Sequence, residues 1–177
     1  MKSHAFDRSV AHGTRRLACI LAVTAIAMSP AGSAQQDQDT VSSNEIEQAL
    51  KKPKTRGIGI RRNAKVDLDI PFEINSSELR PDASAQLEQL ELALQKESLA
   101  NSRIQLAGHT DASGSAAYNR QLARDRAESV KRFLVQRGVD AERLEVVGSG
   151  ADELLFPEDP LHAGNRRVEI RNLGEYK

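Results

Sequence analysis

The chain reads as an α/β (α+β) domain: a mixed four-stranded sheet with helices packed on one face, in the order β-α-β-α-β-β. Three observations predict it. Residues alternate between apolar and polar around Val66, Ile104, Leu144 and Val168, the period of half-buried strands. Two longer stretches, one from Leu79 and one from Ser115, repeat apolar residues at helical spacing. The last two strand patterns are joined only by a long irregular connection, which suits a mixed sheet better than a fully parallel one.

Residues 1–34 read as a secretory signal peptide. Lys2, Arg8, Arg15 and Arg16 precede an apolar run from Leu17 to Met28, followed by Pro30 and small residues ending at Ala34. Those twelve apolar residues fall short of the roughly 20 that a spanning helix needs. Cys19, the single cysteine, stands at the start of the run, whereas a lipid-modified cysteine is expected after it. Cleavage after Ala34 leaves no cysteine for disulfides and no transmembrane segment.

The full chain has 25 basic and 25 acidic residues; the signal holds four of the former and one of the latter. The remainder carries 21 against 24, a net of −3. That balance argues against a nucleic-acid partner, whose binding depends on phosphate neutralisation.

Residues 35–64 form a polar leader, a short helix and a basic linker. Gln35 to Ser43 offers little to bury. Ser42-Ser43-Asn44-Glu45 provides an N-cap for a helix over Ile46 to Leu50, and Lys51-Lys52-Pro53 ends it. Lys51, Lys52, Lys54, Arg56, Arg61 and Arg62 surround Gly57 to Ile60. This segment is either a solvated linker or a contact with anionic glycan or lipid headgroups, and residues 46–62 are a candidate docking segment for an envelope protein.

The domain occupies 65–177. Val66, Leu68, Ile70, Phe72 and Ile74 alternate as a first strand, although Pro71 makes its later half an edge, a bulge or an exit from the sheet. Asn75-Ser76-Ser77 breaks the pattern. Leu79, Ala83, Leu87, Leu90 and Leu94 then mark a helix with Pro81 in its first turn, reaching about Lys96. Arg103 to Thr110 is a strand with Ile104, Leu106 and Gly108 on one face. Ala116, Ala123, Ala127, Val130 and Leu134 stripe the next helix, Ser115 to about Arg137, which Gly138 ends. Leu144 to Val147 and Arg167 to Leu173 complete the sheet.

The chemistry gathers around Gly108-His109-Thr110-Asp111 and the helix after it. Asp111 lies in a Gly/Ser-rich turn, and Arg126 lies on the helix with Asn119 and Leu122 at i, i+3 and i+7, facing one direction. A carboxylate and a guanidinium so placed can grip a zwitterion, Asp111 accepting from an ammonium and Arg126 presenting its fork to a carboxylate. Local sequence alone also allows Asp111 to cap the helix and Arg126 to form a surface ion pair. His109, Asp111 and His162 lack the spacing of a metal site, and no nucleophile stands beside a base, so no metal, cofactor or catalytic residue is expected.

The run from Ala107 to Arg132, AGHTDASGSAAYNRQLARDRAESVKR, resembles the signature of OmpA-like peptidoglycan-binding domains, and Asn165-Arg166-Arg167-Val168-Glu169-Ile170 resembles its close. The resemblance covers roughly Lys65 to Arg171. It implies that Asp111 and Arg126 hold the free amino and carboxyl groups of diaminopimelate (meso-diaminopimelate) in the peptidoglycan stem peptide. It also implies that Thr110 lines the pocket, that Asn119 and Leu122 contact the stem, that Asn75 stands at the mouth and that Arg166 or Arg167 adds a positive edge. The expected role is noncovalent wall binding in the periplasm of a Gram-negative cell, at the wall and the outer membrane. The alternative is an accessory subunit of an envelope-spanning machine. The sequence departs from the family over Glu153 to Gly164, which leaves one rim of the pocket open to question.

Overall fold

A computed structural model describes residues 40–51 and 64–176, all within the unit Gln36–Lys177. The expected signal peptide and the basic segment beyond Lys51 lie outside the described residues. The elements are α1 (Ser43–Leu50), β1 (Ala64–Leu68), α2 (Ala83–Gln95), α3 (Glu97–Ala100), β2 (Ser102–His109), α4 (Ala116–Gln136), β3 (Leu144–Gly150) and β4 (Val168–Glu175), with short 3-10 turns before β3 and β4. The strands form one mixed sheet in the order β1-β4-β2-β3. β2 and β3 run parallel, joined through α4, while β4 enters antiparallel between β1 and β2.

Register separates the two faces. Leu68 pairs with Val168, and Leu106 with Ile170, so their side chains share the face that meets Leu87, Leu90, Leu94, Ala127, Val130 and Leu134. Each large apolar side chain buried here contributes about 1.5–3 kcal/mol. The opposite face carries charge. Asp67 and Ala107 flank Glu169, whose fully buried carboxylate meets Lys65 Nζ at 2.6 Å, Arg171 Nε and, at 3.9 Å, Arg167 Nη2.

α1 belongs to this core, although the sequence pattern sets it outside the domain. Ser42 and Glu45 form a reciprocal capping box, Ile46 and Leu50 are buried, and Asn172 Nδ2 donates to the Leu50 carbonyl at 2.9 Å. Val41 and the buried Gln86 exchange two hydrogen bonds of 2.8 and 3.1 Å. Ile46 and Leu50 therefore face inward and offer no docking surface.

Other local expectations shift. The first strand stops at Leu68, because beyond Pro71 the chain leaves the sheet and closes a small loop through an isolated Phe72–Leu79 bridge. Ile74 is thus 89% exposed rather than core-facing. α2 begins at Ala83, leaving Pro81 before its N-cap Asp82, and Ala116 is exposed on the first turn of α4.

Glycines set the height of α4 above the sheet. A Cβ on Gly108 would stand 2.0 Å from the Ala123 carbonyl oxygen, and one on Gly148 would stand 2.3 Å from that of Arg120. Only bare backbone permits this approach. It brings the Asn119–Arg126 stretch directly over the ends of β2 and β3.

Candidate binding groove

The groove starts where β2 ends. Thr110 N donates to the Gly150 carbonyl at 2.9 Å, and the chain then turns through Asp111 to Ser115. Within that turn Asp111 Oδ1 accepts from Ser113 N at 3.1 Å and from Ser113 Oγ. Asn119 clamps the turn from α4, its Nδ2 donating to the carbonyls of Ser113 at 2.8 Å and Asp111 at 3.3 Å. Ser115, not Asp111, caps α4, accepting from Tyr118 N at 3.2 Å. Asp111 is free of that duty.

The long connection before β4 braces the same turn from outside. Asn165, fully buried, accepts from Phe156 N at 2.9 Å and donates to the carbonyls of Asp159 and Pro160 at 3.1 and 3.3 Å. The Pro160 carbonyl in turn accepts from Ala112 N at 2.9 Å. The rim left open by the departure over Glu153 to Gly164 is thus a buttress, and the groove wall on this side comes from Arg166 instead.

All seven residues expected at the site, Asn75, Thr110, Asp111, Asn119, Leu122, Arg126 and Arg166, line one groove of about 580 Å³. Arg166 Nη1 donates to Asp111 Oδ2 at 2.9 Å. Arg126 is 8% exposed; its Nε donates to the Ser76 carbonyl at 3.0 Å, and its guanidinium lies 5.0 Å from the Phe72 ring centroid. It forms no ion pair with a carboxylate among the described residues, unlike the surface pairing that local sequence allowed. Asn75 is both turn and lining, held at φ 53°. Arg167 points elsewhere, bonded to Asp67 at 2.8 Å and close to the Glu153 carbonyl.

Electrostatics keep both charges in place. Burial pushes the Asp111 carboxyl up, but the hydrogen bonds from Ser113 and Arg166 outweigh it and hold it below the ordinary value. Burial lowers the Arg126 guanidinium, Arg166 adds to that and Asp111 opposes it; an arginine stays protonated regardless. The groove therefore offers an anion and a cation on one wall.

Phe72, Glu73, Ile74, Ser113, Gly114 and Tyr118 also line the groove, and sequence patterns did not place them there. Phe72 and Ile74 continue the alternation of the first strand, which masked their departure from it; Pro71 and Asn75 are the only signals of the loop. Among the described residues no group of three His, Cys, Asp or Glu could hold a metal ion, and no helix is long and apolar enough to cross a membrane.

Comparison with known proteins gives the family and the fold. The model of the OmpA family matches residues 71–167, more than half of the chain. Outer membrane protein A of Bordetella avium is 32% identical over 71% of this chain and 65% of its own length. The peptidoglycan-associated lipoprotein of Pseudomonas aeruginosa is 35% identical over 56% of this chain and 59% of its own. The chain thus spans less than two thirds of either relative. In structure it resembles the periplasmic domain of Helicobacter pylori MotB (TM-score 0.56, 25% identity, 66% of this chain and 79% of that one). It also resembles the cell wall anchor of the type VI secretion system (T6SS) from Pseudomonas aeruginosa (TM-score 0.51, 27% identity, 63% and 80%). The family match spans more than half of the chain, and the chain belongs to the OmpA family.

Proposed function

We propose that this chain binds peptidoglycan noncovalently by gripping the diaminopimelate of a stem peptide, and so tethers itself to the cell wall in the periplasm. The observation that carries this reading is the pairing, in one groove, of an ionised Asp111 with an Arg126 that has no carboxylate partner among the described residues. A carboxylate has about four acceptor sites. Ser113 takes two at Asp111 and Arg166 takes one, which leaves a site for the ligand's ammonium. Among the described residues Arg126 spends only Nε, on Ser76, and its remaining donors are left for the ligand's carboxylate. Charged hydrogen bonds of this kind contribute roughly 1.5–3 kcal/mol each, suited to many weak attachments along a polymer. A relative named peptidoglycan-associated lipoprotein and a structural neighbour named as a cell wall anchor support attachment to the wall. The role is binding; no residue here is assigned catalysis.

The test is cosedimentation with isolated sacculi, comparing the wild type with folded Asp111→Ala and Arg126→Ala. Both variants are expected to stay in the supernatant. Pelleting equal to wild type would move the attachment away from the groove.

A second reading, an accessory subunit of an envelope machine, is favoured by the likeness to MotB and to the secretion-system anchor. Because Ile46 and Leu50 are buried, a partner would engage the basic part of 46–62 rather than α1. A pulldown with a peptide spanning residues 51–62 tests it.

A further inference from the structure

Next to the groove lies a smaller chamber of about 210 Å³ that shares Phe72, Arg126 and Arg166 with it and adds Arg167 and His109. His109 is 1% exposed, and neither Nδ1 nor Nε2 has a hydrogen-bond partner among the described residues. A neutral imidazole carries one donor and one acceptor, and leaving such groups unmatched in a buried setting costs about 1–3 kcal/mol each. The lining sets three guanidiniums against one carboxylate, Asp69. Each guanidinium has five N–H donors, and the partners of these three do not exhaust them: Ser76 for Arg126, Asp111 for Arg166, and Asp67, the Glu153 carbonyl and, at 3.9 Å, Glu169 for Arg167.

A cation finds Asp69 as its one carboxylate in the lining, and an apolar group leaves the donors unmet. A planar or tetrahedral oxyanion matches them, because its oxygens accept from arginine forks and from an imidazole N–H together. We propose that the chamber is a second anion site, taking a compact oxyanion, a carboxylate end or a phosphate, on His109 and the arginines beside the groove. An occupied chamber draws on Arg126 and Arg166. A free anion there weakens any groove ligand with a single carboxylate, whereas a ligand with two carboxylates can fill groove and chamber at once.

The chamber can be tested without wall material, so its failure and that of the wall-binding reading are separable. The purified chain is titrated at pH 7 with sodium phosphate in one arm and sodium acetate in the other, at constant ionic strength against chloride. The imidazole resonances of His109 are followed by NMR. A saturable shift is expected; saturation by acetate assigns a carboxylate end, and saturation by phosphate alone assigns free phosphate. Two exposed lining positions tune the site without touching the core. Asp69→Asn removes the carboxylate of the lining and should tighten binding about fivefold. Ala163→Glu brings a carboxylate to the lining and should abolish it. If His109 shows no saturable shift, or the same shift in Ala163→Glu as in wild type, the chamber holds only water and the proposal is overturned.

Discussion

Arg166 Nη1 meets Asp111 Oδ2 at 2.9 Å across 55 positions of sequence, so the acid of the groove is set by a residue just before the last strand. The pair is a rim contact with Arg166 exposed, and its effect is electrostatic tuning more than stability. Asp111 is held below its ordinary value of 3.8 with Arg166 as one of the causes, so Arg166→Gln should raise it. A depressed carboxyl favours the fold above its unfolded pKa and loses that contribution as pH falls through the folded one. Titrating the Asp111 side-chain carbon by NMR should show the midpoint moving up in Arg166→Gln. The acid limb of sacculus binding should move up with it.

Gly108 and Gly148, beneath α4, fix where the groove's helical residues stand. Gly108→Ala forces a Cβ against the Ala123 backbone and Gly148→Ala against that of Arg120, with no flexible side chain to yield at the carbonyl contacts. Either substitution should cost about 3 kcal/mol or more, the upper range for overpacking. Gly138→Ala is the comparison: nothing lies within 4 Å, but φ is +93°, so strain alone should cost about 1–2 kcal/mol. Urea denaturation of the three variants ranks them. An order with Gly138→Ala worst would contradict the close approach.

Glu169 sits fully buried on the charged face of the sheet, between Lys65 at 2.6 Å and Arg171. Burial raises its carboxyl, and hydrogen bonds from Arg171 and Lys65 more than offset this, keeping it ionised below the ordinary 4.5. Glu169→Gln should destabilise by about 3 kcal/mol at neutral pH, the low end for a broken buried pair, since half-exposed Lys65 can rehydrate. The gap to wild type should narrow below the ordinary carboxylate range, where the wild-type side chain also takes up a proton. Urea midpoints at pH 7 and pH 3.5 measure both.

Much of this fold was legible because its periods are clean. Gly138 as the end of α4 was read from cap chemistry, its start near Ser115 from the helical stripe, and the shared face of Ile104, Leu106 and Gly108 from alternation. Of the candidate groove, the grouping of Asp111, Asn119, Leu122 and Arg126 around one turn and helix was legible from spacing, whereas Asn75, Thr110 and Arg166 were supplied by the family resemblance. Phe72 and Ile74 were misplaced since alternation persists through Ile74 after the strand has ended at Leu68, and period alone cannot say where hydrogen bonding stops. α1 was set apart because a lone short amphipathic helix looks the same whether it docks or not; the deciding contacts, Asn172 to Leu50 and Gln86 to Val41, are 122 and 45 positions apart. The role of Asn119 as a clamp on two carbonyls depends equally on three-dimensional closure.

His109 gives the fold its own acid sensitivity. Burial and the nearby Arg167 charge hold the imidazole down at about 4 against an ordinary 6.5, with Glu169, Glu153 and Asp67 opposing. Between those two values the unfolded chain binds a proton that the folded chain refuses, so stability falls as pH drops through the window. The slope for one proton is at most about 1.4 kcal/mol per pH unit. The depressed carboxyls of Asp111 and Glu169 titrate below 3.8 and 4.5, so most of the window belongs to the imidazole. Urea midpoints of the wild type from pH 7 to pH 4.5 should decline, and those of His109→Gln should be flatter over the same range. Should the glutamine variant fold poorly, NMR of the wild-type ring at pH 5 serves instead: a neutral imidazole supports the account, and an imidazolium refutes it.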